Sequence, residues 1–372
     1  MSVEAVGATE RIRKAFGLVV GVPDSSLAFL RPIWQRPCED AVVCTNEGSA
    51  VALAAGWALG SGKCALVCMQ NSGLMNAMNP LTSLTHASVQ PVPLVLLIGV
   101  RGWAGDEPQH EVVGGVTTSL LHAANIPFHT TRASDLSDVV STLGLAHQQA
   151  VASNAVTAVL VEGGAERPPT PPATGGRAME EWTSRDAVRL VLDAALPGSV
   201  VVGSTGFNSR FVHEYRRDHP GRFEEFVYCV GAMGHACSVA QGLAVARPDV
   251  PVICIDGDGS ALMHLGAALL PAALTVPNYR HVVVNNGSHE SVGGGDTLGS
   301  RFSFSAMGHD LGWPTGVFSG PTTPDVFTAL ARLLNAPGPV LVEMLTRPAG
   351  VGPPARPQPP FAHTRKQSHQ SG

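Results

Sequence analysis

Two short motifs, Gly257-Asp258-Gly259 and Asn285-Asn286, carry the residue types and spacing in this 372-residue chain that best fit chemistry. The apolar run "VPVICID" enters the first motif, and a helical pattern leaves it at once. Strand, glycine-rich turn and helix together make an anion site, because free backbone N–H groups and the helix dipole face a phosphate. From Asp258 to Asn286 is 28 positions, enough for one helix and a return strand. In an open parallel sheet that brings the carboxyl end of the next strand beside Gly257–Gly259. Asp258 and Asn286 would then offer a carboxylate and an amide oxygen, with a backbone carbonyl near Ser288, to one hard cation. With two diphosphate oxygens completing the shell, this donor set suits Mg²⁺. Gly257, Gly259 and Ser260 would cradle the phosphate.

Competing motifs fail on single residues. A dinucleotide loop needs a glycine at position 262, which is leucine. A phosphate loop in "GWALGSGKC" needs glycine at Trp57 and a hydroxyl at Cys64, and it lies at the end of a helix pattern rather than the start. No G-x-S-x-G elbow occurs.

The elements that must position these residues alternate along the chain. "DAVVC" leads into "EGSAVALAAGWALG", "CALVCMQ" into "LMNAMNPLTSL", and "VPLVLLIG" is followed by "VTTSLLHAA". "LSDVVSTLGLAHQQAVAS" and "AVTAVLVEG" end the first half. After a Pro/Gly/Thr-rich stretch, "TSRDAVRLVLDAAL", with a Thr183–Asp186 capping box, precedes "SVVVGST". Then "HACSVAQGLAVA" precedes "VPVICIDG", "SALMHLGAALLPAAL" precedes "HVVVNNG", and "PDVFTALARLLNA" precedes "GPVLVEML". Continuous apolar strands alternating with helices predict an α/β fold of two doubly wound parallel-sheet domains. The expected boundaries are 1–165 for the first domain, 166–182 for a linker, 183–352 for the second domain, and 353–372 for a disordered tail rich in Pro, Gln, His and Ser.

Composition narrows the partners. Hydrophobic residues make up 44% and charged residues 14%, with a formal charge of −5 and no basic cluster, which argues against nucleic acid. Seven cysteines, without a C-x-x-C pair and mostly within apolar runs, read as reduced core residues. The N-terminus has no apolar h-region, and the run in "PVPLVLLIGV" is too short to span a bilayer. A cytoplasmic chain with no membrane partner is expected.

The GDG and NN pairing resembles the thiamine diphosphate signature, and the resemblance spans nearly the whole chain. "TNEGSAVALAAGWALGSGKCALVCMQNSGLMNAMNPLTSL", "LLIGVRGWAGDEPQHEVVGGVTT", "GVPDSSL", "GAMGHACSVAQGLAVARPDVPVICIDGDGSALMHLG" and "NNGSHESVGG" are similar to the phosphonopyruvate decarboxylase family. Sulfopyruvate decarboxylases share much of this pattern. A linker in place of a third, central domain fits the same short group. The resemblance implies a first domain that binds the pyrimidine and a second that binds diphosphate and Mg²⁺, with thiamine diphosphate as cofactor.

It also implies roles for individual residues. Glu47 in "CTNEG" would share a proton with the aminopyrimidine, helped by burial that raises a carboxyl pKa. Met233 in "GAMGH", 25 positions before Asp258, would hold the bound cofactor bent, and Gly231 and Gly234 would let the pyrimidine approach the backbone. The implied reaction is loss of CO₂ from a 2-oxo acid, here 3-phosphonopyruvate, with release of an aldehyde. Candidate donors to the phosphonate are Ser25, Ser26, Gln70, Asn71, Ser72, Arg101 and Ser291. His110 and His289 are the acid–base candidates, because imidazole ordinarily titrates near neutrality. His86, His122 and His235 lie in helical contexts and read as structural. Where the family continues "SVGGQPT", this chain has "SVGGGDT", so Asp296 would add negative charge near a dianion.

The superfamily implies a homodimer at least, with Glu47 of one subunit meeting the metal ligands of another. The alternatives are a sulfopyruvate decarboxylase, a carboligase using the same cofactor, and a nucleotide-binding or scaffold protein that keeps only the fold.

Overall fold

The computed structural model describes residues 3–34, 40–163, 181–272, 276–350, 352, 354–358 and 361–364. The chain divides into two compact units, Met1–Pro169 and Thr170–Gly372. The proposed linker falls almost wholly outside the described residues.

The first unit runs α1 (Val3–Ala15), β1 (Val19–Gly21), α2 (Arg31–Trp34), β2 (Ala41–Val43), α3 (Glu47–Ser61), β3 (Ala65–Gln70) and α4 (Asn71–Ser83). It continues through β4 (Leu94–Gly99), α5 (Pro108–Ala123), β5 (Phe128–Arg132), α6 (Leu136–Ser153) and β6 (Val156–Glu162). The strands form one six-stranded sheet in the order β2-β1-β3-β4-β6-β5, and every pairing is parallel. Alternate residues of β3 and β4 serve two cores. Ala65, Val67, Met69, Leu94, Leu96 and Ile98 pack against α3, α4 and α5, while Leu66, Cys68, Val95 and Leu97 pack against α1 and α6. Burial on both faces is why these strands read as unbroken apolar runs. The small residues Ala50, Ala54, Ala55 and Ala58 let α3 lie close to the sheet.

The second unit runs α7 (Ser184–Ala194), β7 (Val200–Gly203), α8 (Phe207–Asp218), β8 (Glu225–Tyr228), α9 (Ala236–Ala246) and β9 (Val252–Gly257). Then come α10 (Asp258–Met263), β10 (Tyr279–Asn285), α11 (Phe304–Asp310), β11 (Thr315–Phe318), α12 (Pro324–Leu334), β12 (Val340–Leu345) and β13 (Ala362–Thr364). Its sheet has the order β11-β12-β10-β9-β7-β8-β13. The expected Thr183–Asp186 capping box starts α7. Two expectations need correction. The long helix after the glycine turn is a six-residue helix that breaks at His264 into a 3₁₀ segment containing Pro271. The C-terminal stretch expected to be disordered supplies β13, which pairs antiparallel with the edge strand β8. Pairing satisfies backbone groups that an open edge would leave free.

In each sheet two neighbouring strands send the chain off in opposite directions, β1 toward β2 and β3 toward β4 in the first unit, β7 toward β8 and β9 toward β10 in the second. Crevices at the carboxyl ends of strands on either side of such a reversal are where α/β sheets bind ligands. No helix among the described residues is long and apolar enough to cross a membrane. Six cysteines are described, all free, and Cys38 lies outside the described residues.

Candidate active site

In the second unit, β9 and β10 pair in parallel with Gly257 opposite Val284. Asn285 and Asn286 therefore emerge at the level of the Gly257–Gly259 turn. Asp258 is the first residue of α10 and is 2% exposed. Burial pushes its carboxyl up to about 7, against the pull of hydrogen bonds from Thr297, Gly259 and Asn286. Thr297 reaches it because residues 287–297 fold back on themselves. The amide of Thr297 donates to the carbonyl of Gly287 at 2.9 Å, and that of His289 to Gly295 at 2.7 Å. The Thr297 hydroxyl then donates to Asp258 Oδ2. Gly299 completes the enclosure, since a β-carbon there would lie 2.2 Å from the same oxygen.

Asn286 is held by its neighbours. Its amide donates to Glu290 Oε2 and to Ser184 Oγ, each at 3.0 Å, and its Oδ1 accepts from the Ser288 amide at 2.9 Å. An amide oxygen has a second lone pair, so Oδ1 can still serve a cation. Among the described residues the buried Ser288 hydroxyl has no hydrogen-bond partner. A buried carboxyl, an oriented amide oxygen and a buried hydroxyl form an oxygen-rich donor set that suits a hard divalent ion.

The reversal between β7 and β9 adds residues that sequence reasoning missed. Gly257 N–H donates to Ser204 Oγ at 3.2 Å, and Asn208, near the start of α8, lies against Gly257 so closely that a β-carbon there would meet its Nδ2 at 3.1 Å. Gly206 would likewise meet Ser291 Oγ at 3.2 Å, which places Ser291 at the same helix start. Thr297 and Glu290 were within reach of sequence inspection, inside "GGGDT" and "SHES", but no local pattern reveals which loop residue turns back onto Asp258.

The "GAMGH" turn is tied to this turn through Ser260, whose hydroxyl accepts from Gly234 N–H at 3.2 Å. Gly234 has φ +88°, and a β-carbon there would run into His264 and Met263 at 2.7 and 2.8 Å. Ala232 also has positive φ, an unusual conformation that a side chain tolerates poorly. Met233 is half-buried beside it. The Gly231 carbonyl accepts from Thr205 at 2.8 Å.

His289 lies against Gly259, with Nδ1 3.2 Å from the position of a β-carbon there. Burial holds its pKa down at about 4. His110, at the start of α5 in the first unit, is also held at about 4, by burial and by the Arg101 charge. Both imidazoles are therefore neutral at pH 7. Titration near neutrality, the reason for choosing them, does not hold in either unit. Asp296 is exposed.

In the first unit Glu47 is the first residue of α3, capped by Asn46, and only 5% exposed. Its carboxyl packs on α4. Asn76 Nδ2 donates to Oε2 at 2.9 Å, and a β-carbon at Gly73 would lie 2.4 Å from Oε1. Burial raises its pKa against that hydrogen bond. Neither Asn76 nor Gly73 is marked by sequence alone, because the contact is between two helices.

Several expected phosphonate donors gather at the reversal between β1 and β3. Gln70 Nε2 donates to Asp24 Oδ1 at 2.6 Å, Ser26 N–H donates to Asp24 Oδ2 at 3.1 Å, and Ser72 donates to Gln70 Oε1 at 2.8 Å. Asp24 itself is buried, its pKa raised by desolvation, and sequence reasoning passed over it. Ser25 is half-buried at the start of the following 3₁₀ turn. Arg101 and Asn71 are committed elsewhere. The Arg101 guanidinium grips Asp106 through two bonds of 2.5 and 2.9 Å. The Asn71 amide spends both donors, on the Arg101 carbonyl and Thr117, and accepts from Arg101 N–H. Asn71 thus fixes the Arg101 loop and has no donor to present to a ligand.

Residues 10–119 match the model of the thiamine pyrophosphate enzyme N-terminal TPP binding domain, and residues 204–344 match that of the C-terminal TPP binding domain. A phosphonopyruvate decarboxylase of Streptomyces viridochromogenes is 35% identical, with 95% of this chain and 91% of the relative covered. One from Streptomyces hygroscopicus is 34% identical, covering 91% of this chain and 86% of the relative. The sulfopyruvate decarboxylase subunit beta of Methanothermobacter thermautotrophicus is 28% identical over 44% of this chain and 82% of its own.

Proposed function

Because the chain belongs to the phosphonopyruvate decarboxylase family of thiamine pyrophosphate enzymes, and is a carboxy-lyase, we propose that its substrate is 3-phosphonopyruvate. The products are phosphonoacetaldehyde and CO₂, a proton taking the place of the lost carboxylate, in phosphonate biosynthesis. The observation that carries the substrate is likeness to two phosphonopyruvate decarboxylases across almost the whole chain. Loss of CO₂ is effectively irreversible and would draw an unfavourable upstream P–C bond-forming step forward.

Thiamine diphosphate, when bound, supplies the electron sink for decarboxylation. The residues around it hold and orient. Asp258, Asn286 and the Ser288 carbonyl would hold Mg²⁺, while Gly257, Gly259 and Ser260 would line the diphosphate. Gly231 and Gly234 would leave room for the pyrimidine, and Met233 would pack against the bound cofactor. Glu47 keeps a proton at its carboxyl for the pyrimidine ring. Ser25, Ser26 and Gln70 offer neutral donors to the phosphonate, Ser72 orients Gln70, Ser291 adds a hydroxyl, and Arg101 contributes charge from behind Asp106. With both histidines neutral, His110 and His289 act as hydrogen-bond donors or as bases, not as standing acids.

Glu47 and Asp258 belong to different units, and one cofactor needs both. We infer a homodimer in which each site draws on two chains, in a cytoplasmic protein that binds neither membrane nor nucleic acid. Mixing Glu47→Gln and Asp258→Ala chains should then restore part of the activity each lacks; a mixture as inactive as its components would assign both residues to one chain. The substrate is tested by CO₂ release from phosphonopyruvate, sulfopyruvate and pyruvate in parallel, with and without thiamine diphosphate and Mg²⁺. A preference for sulfopyruvate would move the chain to that reaction. An alcohol dehydrogenase that fails to find free aldehyde would point to a carboligase.

A further inference from the structure

Beneath the candidate active site, on the face of the second sheet covered by α9, lies a polar cluster with no role in the scheme above. His281 stands opposite Cys254 in the β9–β10 pairing, and Asp256 follows two residues on, so all three side chains share one face. Their ligand atoms lie within 4.8 Å of one another, and all three residues are buried, Asp256 and Cys254 at 0% exposure and His281 at 1%. The core around them holds Val200, Val202, Ala236, Ala240 and Val252, together with Cys237 and Tyr279.

The hydrogen bonding of this cluster is incomplete. Among the described residues neither ring nitrogen of His281 has a partner, and Asp256 Oδ2 has none. Buried polar groups in a dry core are almost always satisfied, because leaving one unpaired costs about 1–3 kcal/mol. His281 Nε2 and Asp256 Oδ2 stand 3.5 Å apart without forming a hydrogen bond. That spacing suits two ligands of one tetrahedral ion, since bonds of about 2.0–2.1 Å at a tetrahedral angle separate oxygen and nitrogen by about 3.3 Å.

We propose that Cys254, Asp256 and His281 bind a structural Zn²⁺ ion inside the second unit, separate from the Mg²⁺ site. Thiolate, carboxylate and imidazole are all zinc ligands, and softness and geometry set the site apart from the all-oxygen donor set above it. The charges balance: one dication against one thiolate and one carboxylate, with a neutral histidine. The Cys254 thiol proton is displaced to solvent when the metal enters. Burial alone would keep that thiol protonated, and the dication reverses the preference. The ion would tie β9, through Cys254 and Asp256, to β10, through His281, and Asp256 lies two residues before Asp258 on the chain.

The site has no solvent exposure, so the metal enters during folding. The test is metal content of the full chain grown with zinc, after dialysis against a chelator that strips Mg²⁺, together with refolding from guanidinium with Zn²⁺, with Co²⁺, or with neither. Expected are near-stoichiometric zinc, a higher melting temperature with zinc, and a thiolate-to-cobalt charge-transfer band in the cobalt form. Cys254→Ser and His281→Gln should each lower retained zinc by about tenfold or more. Should a variant not fold, the refolding of the unaltered chain decides alone. Wild-type protein holding under about a tenth of an equivalent of any transition metal, with the same melting temperature refolded with or without zinc, overturns the proposal and leaves a plain His–Asp pair.

Discussion

Gly299 and Asp258 are in contact across 41 positions of sequence, and no larger residue than glycine fits where Gly299 stands: a β-carbon would sit 2.2 Å from Asp258 Oδ2 and 2.7 Å from its Cβ. The carboxylate is thus walled on one side by backbone and bonded on the other by Thr297. What holds it in place is shape as much as hydrogen bonding.

Gly299→Ala should therefore act on the metal more than on the fold. Displacing Asp258 is expected to weaken Mg²⁺ binding in the presence of thiamine diphosphate by about 10–100-fold, with about 1–3 kcal/mol of lost stability from overpacking. Calorimetric titration of Mg²⁺ into each protein measures this. Unchanged affinity would mean that Asp258 is not a ligand or that the wall yields freely.

Glu47→Gln should cost about 10²–10⁴-fold in kcat while leaving the first unit folded. The sign of its stability effect follows from the raised pKa. A carboxyl raised on folding stabilises fully below its ordinary value of 4.5, and that contribution is lost as pH rises through the folded value. Glutamine has no such loss, so the variant should melt at or above wild type at pH 8 and lose that advantage toward pH 4. A variant less stable at every pH would show that Glu47 is held ionised. Gly73→Ala should lower kcat by a comparable route, since its methyl takes the space of the Glu47 carboxylate.

Glu290 holds three parts of the second unit together, accepting from Asn286 Nδ2 at 3.0 Å, Ser184 Oγ at 3.3 Å and Ala349 N–H at 2.6 Å. Glu290→Ala removes the acceptor these three donors share and should destabilise by about 2–4 kcal/mol. Chemical denaturation reads the loss, and Mg²⁺ affinity should fall with it as Asn286 loosens. A loss of stability with full metal affinity would assign Glu290 to the fold alone.

Acid should unfold the first unit partly through His110. Its folded pKa, about 4, lies below the ordinary 6.5, so the folded state is favoured fully above 6.5 and that advantage is lost as pH falls through about 4. At 1.36 kcal/mol per unit the loss is at most about 3 kcal/mol, reduced by screening. Melting temperatures of wild type and His110→Gln between pH 7 and 4 should converge or cross as pH falls. Parallel curves would mean that His110 stays solvated.

Sequence alone determined most of the elements and brought Asp258 and Asn286 together as a candidate pair. Buried parallel strands need apolar residues on both faces, which made β3, β4, β9, β10 and β12 legible as continuous runs. The capping box at Thr183 and the glycine turn at 257–259 depend on neighbours within a few positions, and such local chemistry is written in order along the chain. Asp258 and Asn286 could be paired because one helix and one strand between them is a fixed topological step. The short strands β5, β8 and β11 left no such pattern, being partly exposed, and were passed over.

Tertiary structure decided which side chains are engaged and which are not. Arg101 looked like a free cation in sequence, and only the fold turns its fork onto Asp106. Asn71 looked like a donor, and only the fold spends its amide on the loop beside it. Two histidines were chosen for an ordinary pKa, and burial, a property of the assembled unit, moved both to about 4. Gly73 beneath Glu47 and Gly299 beside Asp258 are single glycines among 41. Their necessity arises only when two remote segments approach to within a carbon's width, which no local spacing encodes.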